Sequence, residues 1–179
     1  MKKILIYLLS IGIFGVASIA NSQTIRIGTE GAYPPWNNLN SAGELEGAEI
    51  DFGNEACKRM GVTCEWVTQD WDGIIPALLQ GKYDIIIAGM SITEERKEKV
   101  NFTTGYMTDG ARFAVLKNSG LANLNIAGMA KVNLNNAGGK EQAAIGQLIA
   151  AMDGKTVCVQ SSTIHQNFLE KHMSGAVDV

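Results

Sequence analysis

The spacing of apolar residues changes repeatedly along this chain, and each change marks an element. Thr24-Ile25-Arg26-Ile27-Gly28-Thr29 alternates and predicts a first strand. From Ile50 the positions Ile50, Gly53, Ala56, Cys57 and Met60 recur at helical spacing. Asp51 and Glu55 favour the N-terminal half of that helix, and Gly61 is placed to end it. Residues 63–67 read as a second strand. Residues 72–80 read as a helix with Ile74, Ile75, Leu78 and Leu79 inward and Pro76 near its first turn. Asp84 and the apolar run Ile85-Ile86-Ile87-Ala88 read as a third, buried strand. The order strand, helix, strand, helix, strand predicts a parallel sheet with helices on its faces. Sites in such sheets lie beyond the carboxyl ends of the strands. Glu30, Tyr33, Trp71 and the turn from Gly89 to Ser91 all follow strand ends, so they are expected to converge on one edge.

The remaining pattern is less regular. Residues 30–38 form a loop holding Tyr33-Pro34-Pro35-Trp36, whose prolines oppose regular structure, and residues 41–44 form a turn. Past Arg96 come a short charged helix and an expected strand over 111–117, with residues 107–112 as the crossing to a second lobe. Residues 118–136 read as an irregular insertion. A helix over 139–152, a strand over 156–160, a helix over 163–173 capped by Thr163 and a strand starting at 176 complete the chain. The expected division is a first lobe over 21–108 and a second over 109–179.

The first 20 residues differ in kind. Met1-Lys2-Lys3 precedes an apolar run ending near Ile19, with small residues at Ser18 and Ala20. This predicts a cleavable export signal over 1–20, cut after Ala20 or after Ser22. A membrane anchor is the alternative, but Gly12, Gly15 and Ser18 interrupt the run. The formal net charge is −3, and loss of Lys2 and Lys3 makes it more negative. That balance argues against nucleic acid and against anionic membranes as partners.

Export places the three cysteines in an oxidising compartment. Cys57 lies near a helix end and Cys64 starts the next strand, so a reversal around Gly61 predicts a Cys57–Cys64 disulfide; two buried thiols are the alternative. Cys158 falls inside an expected strand as a small core residue.

The segment Ala88-Gly89-Met90-Ser91-Ile92-Thr93-Glu94-Glu95-Arg96 carries the strongest chemical signal. A strand that turns through Gly and small hydroxyls into a helix presents backbone N–H groups. Arg96 can swing a planar fork toward the same point, which suits a small carboxylate; the plainer alternative is a surface charge among its charged neighbours. Tyr33 and Trp71 are candidate walls for an aliphatic or cationic side chain, or else core aromatics. Glu30 is a candidate anchor for a distal amine or guanidinium, or a solvated acid. Ser162 and Thr163 form a second hydroxyl turn that also serves as a helix cap. His165 and His172 are seven apart without a carboxylate–His pattern, so no metal and no cofactor is expected.

The Tyr-Pro-Pro loop, the Cys57/Cys64 pair and the Gly89-Met90-Ser91-Ile92-Thr93-x-x-Arg96 motif resemble the periplasmic amino-acid-binding proteins that feed ABC transporters. Within them the likeness is to the lysine/arginine/ornithine-binding and opine-binding branch. The phrase Ser162-Thr163-Ile164-His165-Gln166-Asn167-Phe168-Leu169 is similar to opine binders. The resemblance implies an α/β, periplasmic-binding-protein-like fold of type II, with a parallel sheet and flanking helices in lobe 1 and an incomplete second α/β lobe. It implies that Glu30 holds the ligand's distal cation, Tyr33 and Trp71 sandwich its side chain, and Ser91 and Arg96 hold the carboxylate. Gly89 lies by the ligand amine, and Ser162 and Thr163 close from lobe 2. It further implies a periplasmic, non-enzymatic monomer whose partners are an amino acid or opine and an ABC permease in the inner membrane. Ala88 and Gly89 depart from serines found in some relatives, and Ser161 replaces a usual Gly. Relatives continue further, so the resemblance also implies a C-terminally truncated chain. The alternatives are a cyclohexadienyl dehydratase-like enzyme on the same scaffold, or a non-functional remnant.

Overall fold

The computed structural model describes residues 23–124, 126 and 138–179. The expected export signal and its cleavage points lie outside them, as does most of the expected insertion after Asn118. Strand β1 (Thr24–Thr29) is central, with β5 (Thr63–Thr68) on one side and β6 (Ile85–Ile86) on the other, both parallel to it. Register pairs Thr24 with Thr63 and Thr29 with Thr68, and pairs Ile27 with Ile85. This is the parallel sheet expected from the alternating pattern.

Helix α1 (Ala48–Met60) covers one face of the sheet. Buried Cys57 packs with Ile27 and Ile87, and partly buried Trp66 and Cys64 lie against them. Gly61 ends the helix with φ 69°, and its N–H caps the carbonyls of Cys57 and Lys58. That reversal brings Cys57 and Cys64 to a Cα separation of 6.0 Å, and they are disulfide-bonded, as expected. Met60, expected to face inward, is exposed at the last residue of the helix, just before the Gly61 cap.

The second crossover begins with a 3-10 turn (Trp71–Gly73) and continues as α2 (Ile74–Leu79). Ile74 and Ala77 are buried with Tyr83 and Ala88. Full burial of a side chain the size of Ile74 contributes about 1.5–3 kcal/mol. Leu79 is exposed, against expectation, since a helix this short buries only the stripe through Ile74 and Ala77. The third strand is also shorter than expected, and Ile85 is 42% exposed rather than buried. Among the described strands β6 is an edge, so only one side of it is covered.

Two further expectations fail locally. The proline-bearing loop is not irregular: β2 (Ala32–Tyr33), β3 (Asn37–Leu39) and β4 (Leu45–Glu46) form a small antiparallel sheet. Pro34 and Pro35 sit in its turn, where no ladder N–H is required. Residues 111–117 are not a strand; Phe113, Val115 and Leu116 are exposed, and no described segment pairs with them.

The second region is helix α4 (Gly139–Met152), strand β7 (Lys155–Thr156), helix α5 (Ile164–His172) and strand β8 (Val177–Asp178). β7 and β8 are parallel, and Met152, Leu169, Met173 and Val177 form their core. The Val157 N–H still donates to the Asp178 carbonyl of β8 at 2.7 Å, but Cys158 to Gln160 run on beyond that two-residue strand, so the strand expected over 156–160 ends early. Cys158 is accordingly exposed and free, not a core residue.

Candidate functional site

The loops after β1, β5 and β6 do converge, and they meet the turn before α5. Arg96 lies in the short helix α3 (Glu94–Lys97), whose N-cap Thr93 accepts the Arg96 N–H at 3.2 Å. Its guanidinium donates to the Ser91 carbonyl at 2.9 Å and to the Ser162 carbonyl at 3.0 Å. It also lies 5.3 Å from the centroid of the Trp71 ring, a cation–π arrangement. The Trp71 Nε1–H donates to the same Ser162 carbonyl at 3.0 Å. A cation and an indole N–H thus aim at one oxygen. Partial burial lowers the Arg96 pKa from its ordinary value. A guanidinium with less water around it gains more from an anionic oxygen.

Gly89 has φ 58°, and a Cβ there would lie 3.0 Å from Tyr33 Cε1, so glycine lets the Tyr33 ring approach. The Gly89 N–H is not free for a ligand, contrary to expectation: it donates to Glu49 Oε1 at 2.7 Å. The Tyr33 hydroxyl donates to Asp109 at 2.7 Å. That bond raises the Tyr33 pKa and lowers that of Asp109, which also accepts the Gly110 N–H.

Glu30 accepts from Gln160 Nε2 at 2.6 Å, and the Ser161 hydroxyl donates to Asp72 at 2.9 Å. Ser162 adopts φ 58°, the left-handed region that disfavours a side chain. Its N–H is held by Gln166 Oε1 at 2.7 Å. The Thr163 hydroxyl accepts the Gln166 N–H at 3.2 Å and donates to the Gln160 carbonyl at 2.7 Å, which caps α5. His165 is exposed, and His172 lies against Phe168 at 5.1 Å.

Two groups result. Trp71, Ser91, Arg96 and Ser162 form one, and Tyr33 with Gly89 the other, while Glu30 joins the turn through Gln160. A groove of about 600 Å³ opens beside the first group, lined among others by Trp71, Met90, Arg96, Ser162 and Ile164. Glu30, Tyr33, Gly89 and Ser91 do not line it. Sequence reasoning missed Glu49, Asp72, Asp109 and Gln160. Only Glu49 left a signal: an acid between apolar Ala48 and Ile50 in the first turn of α1. Around the turn before α5 stand one cation, Arg96, and two carboxylates, Glu30 and Asp72, each bonded to a residue of that turn.

A family model for bacterial extracellular solute-binding proteins, family 3, matches residues 25–174. An octopine-binding periplasmic protein of Rhizobium meliloti is 43% identical over 160 residues, covering 89% of this chain and 54% of that protein. A periplasmic His/Glu/Gln/Arg/opine family-binding protein from Silicibacter pomeroyi, solved in complex with lysine, is 38% identical with a TM-score of 0.59. The match covers 87% of this chain and 56% of that one. An ancestral amino acid-binding protein described as a precursor of cyclohexadienyl dehydratase is 32% identical with a TM-score of 0.67, covering 87% of this chain and 59% of that one. The chain spans about half the length of the curated relatives it matches.

Proposed function

The chain belongs to the bacterial extracellular solute-binding proteins of family 3, and we propose that it captures a polar or basic amino acid, or an opine, in the periplasm for uptake by an ABC transporter. The observation that carries this reading is the convergence of the Arg96 guanidinium and the Trp71 indole N–H on one oxygen position, with acids nearby. In this reading Arg96 and Ser91 hold the α-carboxylate, Tyr33 and Trp71 flank the side chain, and Glu30 anchors a distal cation. Gly89 lies by the amine. Ser162 and Thr163 act from the second lobe, which begins near residue 109 with 107–112 as hinge. A relative named for octopine binding, others named for arginine or for lysine, arginine and ornithine, and a neighbour solved with lysine support a ligand with a carboxylate at one end and a cationic side chain. The Ser162 carbonyl now occupies the Arg96 donor, so ligand entry requires this contact to open. The filled form docks on an inner-membrane permease as a monomer and performs no catalysis.

The test is a fluorescence titration of the purified chain with arginine, lysine, ornithine, histidine, glutamine, octopine and nopaline. Trp71 reports the Ser162 contact directly. A saturable change with a cationic ligand supports the reading; no change with any of the seven in a folded sample overturns it. A neighbour that is itself an amino acid-binding protein but is described as a precursor of cyclohexadienyl dehydratase leaves one second reading, with Glu30 as the acid–base group. Turnover of prephenate or arogenate would establish it.

A further inference from the structure

Glu49 is 2% exposed and Asn37 fully buried, yet both are polar. Glu49 Oε1 accepts the Gly89 N–H at 2.7 Å and the Tyr106 hydroxyl, while Oε2 accepts Asn37 Nδ2 at 2.6 Å. Asn37 Oδ1 in turn accepts the Gly31 N–H at 2.8 Å. The segments joined this way carry the candidate site. Gly31 follows Glu30 and leads to Tyr33. Gly89 bears on the Tyr33 ring. Tyr106 belongs to the segment whose Asp109 holds the Tyr33 hydroxyl. The Tyr106 ring is stacked on Phe52 at 5.4 Å, and burial with the Glu49 bond raises its pKa.

We propose that Glu49 is a positioning residue for ligand binding, acting through Asn37, Gly89 and Tyr106 to set Glu30, Tyr33 and the Gly89 turn in register. It touches no ligand itself, and this role rests on the proposed binding function. The polarity of the relay is fixed. Glu49 has only acceptors to offer, Asn37 donates on one side and accepts on the other, and every partner at the periphery is a donor. Glu49→Gln keeps the shape but breaks the polarity. Its new amide nitrogen faces Asn37 Nδ2, and if Asn37 turns over to meet it, Nδ2 then faces the Gly31 N–H. Two donors oppose each other in either case. Adding Asn37→Asp repairs this, because a carboxylate at 37 accepts both from the new amide and from Gly31.

Arginine affinity is measured in the unaltered chain, Glu49→Gln, Glu49→Gln/Asn37→Asp, and Ile50→Val as a control that thins the same helix without touching the relay. Glu49→Gln is expected to bind about tenfold more weakly or worse, the scale of one unmet buried polar group. The double variant is expected to return to within about threefold. Ile50→Val lowers the melting temperature and leaves affinity unchanged. The positioning role is overturned if Glu49→Gln binds as tightly as the unaltered chain, if affinity falls equally in Ile50→Val, or if the second change does not restore binding. Failure of the unaltered chain to bind any of the seven ligands overturns the functional reading, and this role with it; failure confined to the variants overturns only the role.

Discussion

Replacing Arg96 by alanine removes the cation on which the proposed carboxylate site depends. The guanidinium makes two bonds to carbonyl oxygens, to Ser91 and Ser162, and faces the Trp71 ring at 5.3 Å. A hydrogen bond involving a charged group contributes about 1.5–3 kcal/mol. A carboxylate taking two bonds from this fork therefore loses at least about 3 kcal/mol, or roughly two orders of magnitude in affinity. Arg96→Lys keeps the charge but not the planar fork, so it surrenders one of the two bonds and binds about tenfold more weakly. The same substitutions cost about 1 kcal/mol of stability, from the lost carbonyl contacts. Calorimetric titration with L-arginine should therefore run well below the melting transition of the weakest variant. The ordering unaltered, lysine, alanine is the signature of a fork-bound carboxylate. Alanine binding within about threefold of the unaltered chain refutes the reasoning.

Three further outcomes follow from the scaffold. The Cys57–Cys64 bond closes a loop of sequence separation 7, for which chain entropy gives about 2.4 kcal/mol; reduction should lower the melting temperature accordingly, and an unchanged melt would contradict the bond. Gly28→Ala places a Cβ 2.5 Å from the buried Tyr83 ring, so chemical denaturation should show a loss of about 1–3 kcal/mol. Hydrogen bonds from Arg26 hold the Asp84 carboxyl below its ordinary 3.8. A depressed folded pKa adds stability above that value and loses it as pH falls. Asp84→Asn should melt earlier than the unaltered chain at neutral pH and match it in strong acid; a constant gap across pH would sink that assignment.

The parallel sheet was legible because its signals are local. Alternation marked β1, helical spacing and Gly61 marked α1, and the Cys57–Cys64 reversal followed from both. Burial at element ends was not legible, since Met60, Leu79 and Ile85 depend on what the neighbouring element fails to reach. The prolines at 34 and 35 masked a small sheet, because they occupy its turn and not its ladder. Residues 111–117 have strand composition but no described partner, and a strand is made by its ladder. In the site, Trp71 and Arg96 meet at Ser162, a turn the sequence assigned to the opposing lobe, whereas Tyr33 and Gly89, expected on one edge with Trp71, form a separate pair. Glu49 and Asn37 escaped notice because a buried polar relay is defined by distances across sequence, here 12 and 40 residues.

The central claim is that this chain holds an amino acid by its carboxylate through Arg96 and by its distal cation through Glu30. Its most direct test is competitive calorimetry of the unaltered chain and Glu30→Gln with L-arginine and with L-norleucine, which keeps the α-amino acid group but lacks a distal cation. The account predicts saturable arginine binding, much weaker norleucine binding, and loss of that preference in Glu30→Gln. Equal affinity for both ligands in the unaltered chain, or no heat from either, would contradict it.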